Sequence, residues 1–295
     1  MKLILSRKGL DSSFGPFPNP VLPNGRACWI PIPEVGRAKP GLPRYDELMA
    51  ADVPLGRLVN GLFDGRLSRR SRVHLDPDLE ASSHPDRADG WRPAFGQTGA
   101  AESHLRRYGV GPGDLFVFFG WFRQAERVRR RLRFVPGAPD LHVIYGWLQV
   151  GQRWDVSGEQ PVPEGLRDHP HAVRPPYSTH FDAIYEAAPT LTGRLADGRP
   201  IAGAGTFDAV APAHVLTEPG RNRSSWLLPA DFAPGGREPL SYHASEDRWT
   251  ASDDGVRLRA VSRGQEFVLD LDAYPGVERW VRDLWPGTTD PFAFE

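Results

Sequence analysis

The chain has 295 residues, with 36 Lys+Arg against 37 Asp+Glu, so its formal net charge is −1. Hydrophobic residues make up 40% and charged residues 25%, which excludes a wholly disordered chain and a membrane-spanning one. The balance also excludes a general electrostatic grip on a phosphate backbone, though not a local basic groove. The opening KLILS reads as a short, buried, central strand that runs into Arg7, Lys8, Gly9 and Asp11. Residues 15–23 are an irregular Pro/Gly loop. Asn24-Gly25 is a turn, and ACWIPIP returns from it as a strand whose prolines, Pro31 and Pro33, place it at an edge. YDELMA is the first helical candidate, with Pro54 and Gly56 interrupting any continuation of the helix. Pro85 to Gln97 reads as a loop, and Thr98 to Tyr108 as a helix with Thr98 as its cap. LFVFFGWF (115–122) and LHVIYGWLQVG (141–151) form the clearest strand pair, with the basic segment RVRRRLRF between them. FDAIYEAA reads as a short helix. SSWLLP, VRLRAVS and QEFVLDL read as short strands, and Val277 to Trp285 as an amphipathic helix.

These elements predict an α+β fold. It is a mixed, β-rich single body over residues 1–295, with short strands, a few helices and long ordered Pro/Gly loops. The 31 glycines and 30 prolines fit that loop content. All but three of the basic residues are arginine, the lysines being Lys2, Lys8 and Lys39; genome composition explains such a bias, yet it supplies many planar forks for phosphate and carboxylate. A single cysteine, Cys28, excludes an intrachain disulfide and a multi-thiolate zinc site. The start MKLILSRKGL lacks the long apolar run of a signal peptide, so a cytoplasmic location is the expectation.

Four constellations could carry chemistry. Arg7, Lys8 and Asp11 follow an apolar strand, where ligands meet side chains and loop amides; the alternative is a solvated turn with an ion pair. His74, Asp76 and Asp78 would share one face of a strand and suit a metal, but Pro77 favours a turn with an Asp cap. The two aromatic strands, broken by Gly120 and Gly146, resemble the pattern of PUA-like and EVE domains, small barrels that hold nucleobases; ordinary core is the stronger reading. Arg263, Gln265 and Glu266 enter a strand, with Glu266 placed to be a general acid or base, or else a salt-bridge partner. His169-Pro170-His171 is poor evidence for a metal pair. No metal site is expected from any of these motifs, and no cofactor is specified. HExxH, GxSxG and GxGxxG are missing.

In chain order, SRKGLDSS, PNPVLPNG, PIP, HLDPDL, GDLFVFFGWFR, HVIYGWLQVG, PHAVR, GAGTF, LTEPGRNRSSWLLP, SYH and RGQEFVLD resemble the bacterial and phage nucleotide modification associated domain 3 family over nearly the whole chain. One segment departs: an asparagine is expected before IYEA, where this chain reads THFDAIYEA. The resemblance implies a component of a nucleotide or DNA-base modification system, with nucleotide or DNA as partner, proteins of the same system as further partners, and no membrane. It implies no reaction and carries over no catalytic residues. It raises the polar residues of these segments above their structural readings. Asp11, Glu266 and His171 are then the catalytic candidates. Arg7, Lys8, Trp121, Arg123, Arg174, Arg223, Trp226, Arg263 and Gln265 are the substrate-binding candidates, in an arginine-rich pocket. An enzyme acting on a nucleotide or base is favoured over a non-catalytic PUA-like reader of modified nucleic acid and over a scaffold subunit.

Overall fold

The structure is a computed structural model, and it describes residues 1–11, 17–34, 41–129, 131–157, 161–173, 181–194 and 200–285. The strands of the first half are β1 (Lys2–Arg7), β2 (Asn19–Val21), β3 (Ile32–Pro33), β4 (Met49–Ala50), β5 (Val53–Pro54), β6 (Val73–His74), β7 (Ala94–Thr98), β8 (Leu115–Val128) and β9 (Arg131–Phe134). Those of the second half are β10 (Leu141–Asp155), β11 (Asp182–Ala187), β12 (Thr190–Arg194), β13 (Pro200–Ala202), β14 (Ala204–Thr206), β15 (Ser225–Leu228), β16 (Trp249–Ser252), β17 (Gly255–Arg259) and β18 (Glu266–Asp270). Four helices accompany them: α1 (Leu55–Leu62), α2 (Gly99–Arg107), α3 (Pro170–Val173) and α4 (Val277–Asp283).

The fold is α+β, built on a nine-stranded mixed sheet with the order β18-β1-β8-β10-β11-β7. β14 adds to β10, and β2 and β9 add to β8. β1 lies antiparallel to β18 and parallel to β8. Its central position explains why KLILS is apolar at every step: a strand covered on both faces loses the alternation of a half-exposed one. Ile4, Phe116, Phe118, Tyr145 and Leu148 point into one core. Leu3, Leu5, Leu115, Val117, Phe119, Ile144 and Trp147 point into the other, where β15, β17 and α4 pack. The two-residue period of the strand thus sorts alternate side chains into two cores.

The sheet is curled but not closed among the described residues. Laid flat, five strand spacings would separate β18 from β7 by about 24 Å. Instead the side chain of Gln97 on β7 donates a hydrogen bond to Glu266 on β18, 2.6 Å from Nε2 to Oε1. The rings of Phe95, Phe116, Phe118 and Tyr185 fill the concave side, with centroids 5.0 to 6.1 Å apart.

Three sequence expectations need correction. FDAIYEAA is not a helix: β11 is a strand paired on both sides, with β10 and with β7. Its helix-compatible residues yield to burial between two neighbours. The segment read as a loop to Gln97 ends in β7. YDELMA forms one short turn of 3₁₀ helix, and the real helix α1 starts directly after Pro54. Proline lacks only an N–H that an N-terminal position leaves unused, so it opens α1 rather than interrupting it.

Inside the second core, Trp226 Nε1–H donates to His142 Nδ1 at 2.9 Å. Burial, with help from the nearby Arg7 and Arg223 charges, pushes the His142 imidazole down to about 3. In the unfolded chain the same group takes a proton at about 6.5. The unfolded state therefore binds more protons between these values, and stability must fall as pH drops from about 6.5 towards 3. Replacing His142 with Gln removes this contribution, worth up to about 1.4 kcal/mol per pH unit. Urea unfolding at pH 7, 5.5 and 4.5 should show a flatter acid limb in the variant. Some slope should remain, because burial also holds His243 at about 4.

Candidate functional site

β1 ends at Arg7, opposite the start of β18, where Ser6 pairs with Glu266. Here the open seam of the sheet is bridged by side chains. Lys8 Nζ lies 2.9 Å from Glu266 Oε1 and 4.5 Å from the centroid of the Phe95 ring. Gln97 Nε2 donates to the same Glu266 oxygen, and its own Oε1 accepts the Thr98 backbone N–H at 3.0 Å. Glu266 is 1% exposed, and its Oε2 has no hydrogen-bond partner among the described residues. A buried carboxylate with one uncommitted oxygen is costly unless it serves another purpose.

Arg7 donates to the carbonyls of Ser262 and Gly264, and its backbone N–H donates to Gln265 O at 2.8 Å. Burial pulls its guanidinium below the ordinary value, with Asp11 opposing and Arg223 assisting that shift. Arg7, Lys8, Asp11, Gln97, Gln265, His74, Asp76 and His171 all line one cavity of about 140 Å³. That is smaller than pockets that enclose drug-sized ligands. A larger cavity of about 230 Å³ borders His169, but there the guanidinium of Arg87 is already committed to Asp78 beneath Trp91.

The histidine segments, each weak alone, meet at Asp76. His74 Nε2 and His171 Nε2 each stand 3.6 Å from Asp76 Oδ2. His169 Nε2 stands 3.6 Å from the other oxygen, Oδ1, which accepts the Gly96 backbone N–H at 2.8 Å. Behind them, His171 Nδ1–H donates to Asp182 Oδ1 at 2.5 Å, and His74 Nδ1 lies 3.6 Å from Glu34 Oε2. Burial pushes the Asp76 carboxyl up, but the imidazoles of His169, His171 and His74 around it outweigh burial and hold the group well below the usual range. Burial likewise opposes a proton on His171, yet Asp182 and then Asp76 raise its affinity for one. Burial wins at His169, whose proton affinity falls. His74, Asp76 and His171 place one ligand atom each within 4.8 Å of one another and could hold a metal ion.

The remaining sequence candidates divide. Trp226 is fully buried behind His142, so it cannot stack on a ligand. Trp121 is 8% exposed and lies under the Arg223 guanidinium, 4.2 Å from its ring centroid. Arg123 is spent on Asp140, with Nη2–Oδ1 at 2.6 Å, and takes no part in lining the cavity. Arg263 is exposed on the turn before β18. Arg174 lies outside the described residues. Gly120 and Gly146 do permit close approach, but by the chain itself: a Cβ would stand 2.7 Å from Lys8 O and from Gly205 O respectively.

The sequence model of one family, nucleotide modification associated domain 3, matches residues 2–270. The chain belongs to that family. No curated protein and no solved structure matches it significantly. Family membership ties the domain 3 chain to nucleotide modification, and the match spans every residue placed around the cavity. Gln97, Gly96, Glu34 and Asp182 escaped the sequence reading. The one signal for them was the convergence of HLDPD and HPH, which needs the fold to be seen.

Gly96 is where β7 passes beneath the imidazoles. A Cβ there would stand 2.6 Å from His171 Cγ and 2.8 Å from His169 Cε1. Gly96→Ala should therefore cost about 1–3 kcal/mol as an overpacked site. Gly61→Ala, in α1 with nothing within 4 Å of its Cβ, should be neutral or slightly stabilising. Chemical denaturation of both variants checks the contrast.

Proposed function

We propose that this domain is an enzyme that modifies a nucleotide or nucleobase bound at the seam cavity. The observation that carries the reading is the convergence on one small cavity of ionisable groups that packing does not require: the Lys8–Glu266 pair and the histidines around Asp76. Clustered titratable groups in a cleft, with the Asp76 carboxyl and the His171 imidazole shifted by their neighbours, are a marker of catalytic sites. A cavity of about 140 Å³ would enclose one end of a nucleotide, a base or a phosphate, and leave the rest outside.

Arg7 supplies the cation for an anionic group, with Asp11 beside it. Gln97 and Gln265 offer amides that can read a base edge. Lys8 faces the cavity and is the group that touches the substrate. Glu266 lies behind it, holds the Lys8 ammonium in place and offers its free oxygen for a proton. The reader alternative finds less support. The aromatic strands it needs bury Phe116, Phe118, Phe119 and Phe122 completely, and Tyr145 and Trp147 nearly so. That leaves core where a base-stacking cage would have to stand.

Nucleoside mass spectrometry on digested DNA tests the reading. Cells carrying the gene and its neighbours are compared with cells lacking this gene, and with cells carrying Lys8→Met or Glu266→Gln. A nucleoside should appear only with the intact gene. Each variant should reduce its rate of accumulation by about 10²–10⁴-fold, the usual worth of a positioned acid–base group. Identical profiles in all strains, with the proteins expressed, overturn the enzyme reading.

A further inference from the structure

We propose that His74, Asp76 and His171 form a binding site for one divalent first-row transition-metal ion, held through His74 Nε2, His171 Nε2 and Asp76 Oδ2. The inference concerns the cavity of the proposed function and rests on that reading only for what the ion is used for; binding itself stands apart from it.

The spacing is the first argument. Both imidazole nitrogens stand 3.6 Å from the same carboxylate oxygen. That is longer than a hydrogen bond of 2.7–3.2 Å. Two ligand atoms on a tetrahedral ion with bonds of about 2.1 Å are separated by about 3.4 Å, close to the two imidazole–carboxylate edges, and all three donor atoms lie within 4.8 Å of one another. A simple network of imidazolium–carboxylate ion pairs would close to hydrogen-bond contact instead.

The orientation of the donors is the second argument. Asp182 engages Nδ1 of His171 at 2.5 Å, and Glu34 lies 3.6 Å from Nδ1 of His74. At His171 the Asp182 carboxylate keeps the proton on the far nitrogen and turns the Nε2 lone pair towards the centre, the arrangement that supports metal-bound histidines. Gly96 N–H occupies Asp76 Oδ1 and leaves Oδ2 for the ion. His169 brings a further imidazole against Asp76. It is 6% exposed, and its Nε2 makes no hydrogen bond among the described residues.

All three donors line the cavity beside Lys8 and Arg7. Three protein ligands with open positions towards a cavity are the pattern of a catalytic rather than a structural ion. Two nitrogens and one carboxylate suit Zn²⁺, Fe²⁺, Co²⁺ or Mn²⁺. They do not suit Mg²⁺ or Ca²⁺, which take oxygen ligands. The open positions would accept water or an oxygen of the substrate, next to the cations that hold its negative charge.

The test uses the full chain and the metal alone. Metal-stripped protein is titrated with Co²⁺, followed by its visible d–d absorption, and with Zn²⁺, followed by calorimetry and the thermal midpoint. One equivalent should bind, raise the midpoint in proportion to the logarithm of free ion, and give the absorption of nitrogen-ligated Co²⁺; Mg²⁺ should do neither. Asp76→Asn and His171→Gln, both close in shape to the native residues, should abolish uptake. Asp182→Asn should weaken it by about 10–100-fold. Failure of the wild-type protein to take up a stoichiometric ion overturns the proposal whatever the variants do, as does uptake unchanged in Asp76→Asn. Lys8→Met should bind the ion normally. Metal uptake with identical DNA nucleosides in all strains, the strain lacking the gene included, would sink the enzyme reading alone. Loss of the nucleoside in Lys8→Met without metal uptake would sink the metal site alone.

Discussion

One carboxylate oxygen holds the seam of this fold. Glu266 Oε1 receives Lys8 from the end of β1 and Gln97 from β7, strands that a flat sheet would place far apart. The curl that brings them together comes from the twist of long strands whose two faces feed two separate cores. At this point a pair of apolar side chains would close the seam as well or better, because a buried ion pair returns little net stability once its desolvation is counted. Charge is kept where packing alone would not select it. The Lys8–Glu266 pair bridges the seam, and Glu266 keeps one oxygen without a hydrogen-bond partner among the described residues.

Asp76 plays the corresponding part on the cavity's histidine side. It is almost fully buried, and the groups arranged to stabilise its charge are one backbone N–H and three imidazoles. Those imidazoles come from residues 74 and 169–171, with Gly96 of β7 lying directly against His169 and His171. A methyl group on that strand would occupy the imidazole positions. The backbone of β7 is thus fitted to the cluster, and the cluster to the cavity that Lys8 and Arg7 share.

This fitting explains what the sequence could and could not disclose. The strands β1, β8, β10, β15 and β18 were legible from their apolar runs, and β17 (GVRLR) from the alternation of Val and Leu with Arg. So was α4, whose Val277, Trp280 and Val281 follow a helical period. β7 was hidden because AFGQT carries a glycine and a glutamine where a strand should carry bulk. Both residues are there for the site: Gly96 makes room for the imidazoles, and Gln97 reaches Glu266. β11 was hidden for a different reason, since its pairing partners β10 and β7 lie at least 27 residues away in sequence and helical propensity was the only local signal.

The candidate site was legible in part for the same physical reason. Arg7, Lys8, Asp11, Gln265 and Glu266 sit at strand ends, where polarity following an apolar run is visible in one dimension. HLDPD and HPH sit in turns, where His, Asp and Pro are ordinary, and nothing in either segment announces the other. The tryptophans misled in the opposite direction. Trp226 looked like a stacking surface because it lies among arginines and serines in sequence, yet its indole is enclosed by Phe119, His142 and Phe267. An aromatic ring contributes most when buried, so a tryptophan in a β-rich chain belongs to the core unless its neighbours on the adjoining strands leave a face open. Here the neighbours close every such face on β8 and β15. The cavity is left mostly to charged and amide side chains, which come from strand ends and turns rather than from the aromatic strands.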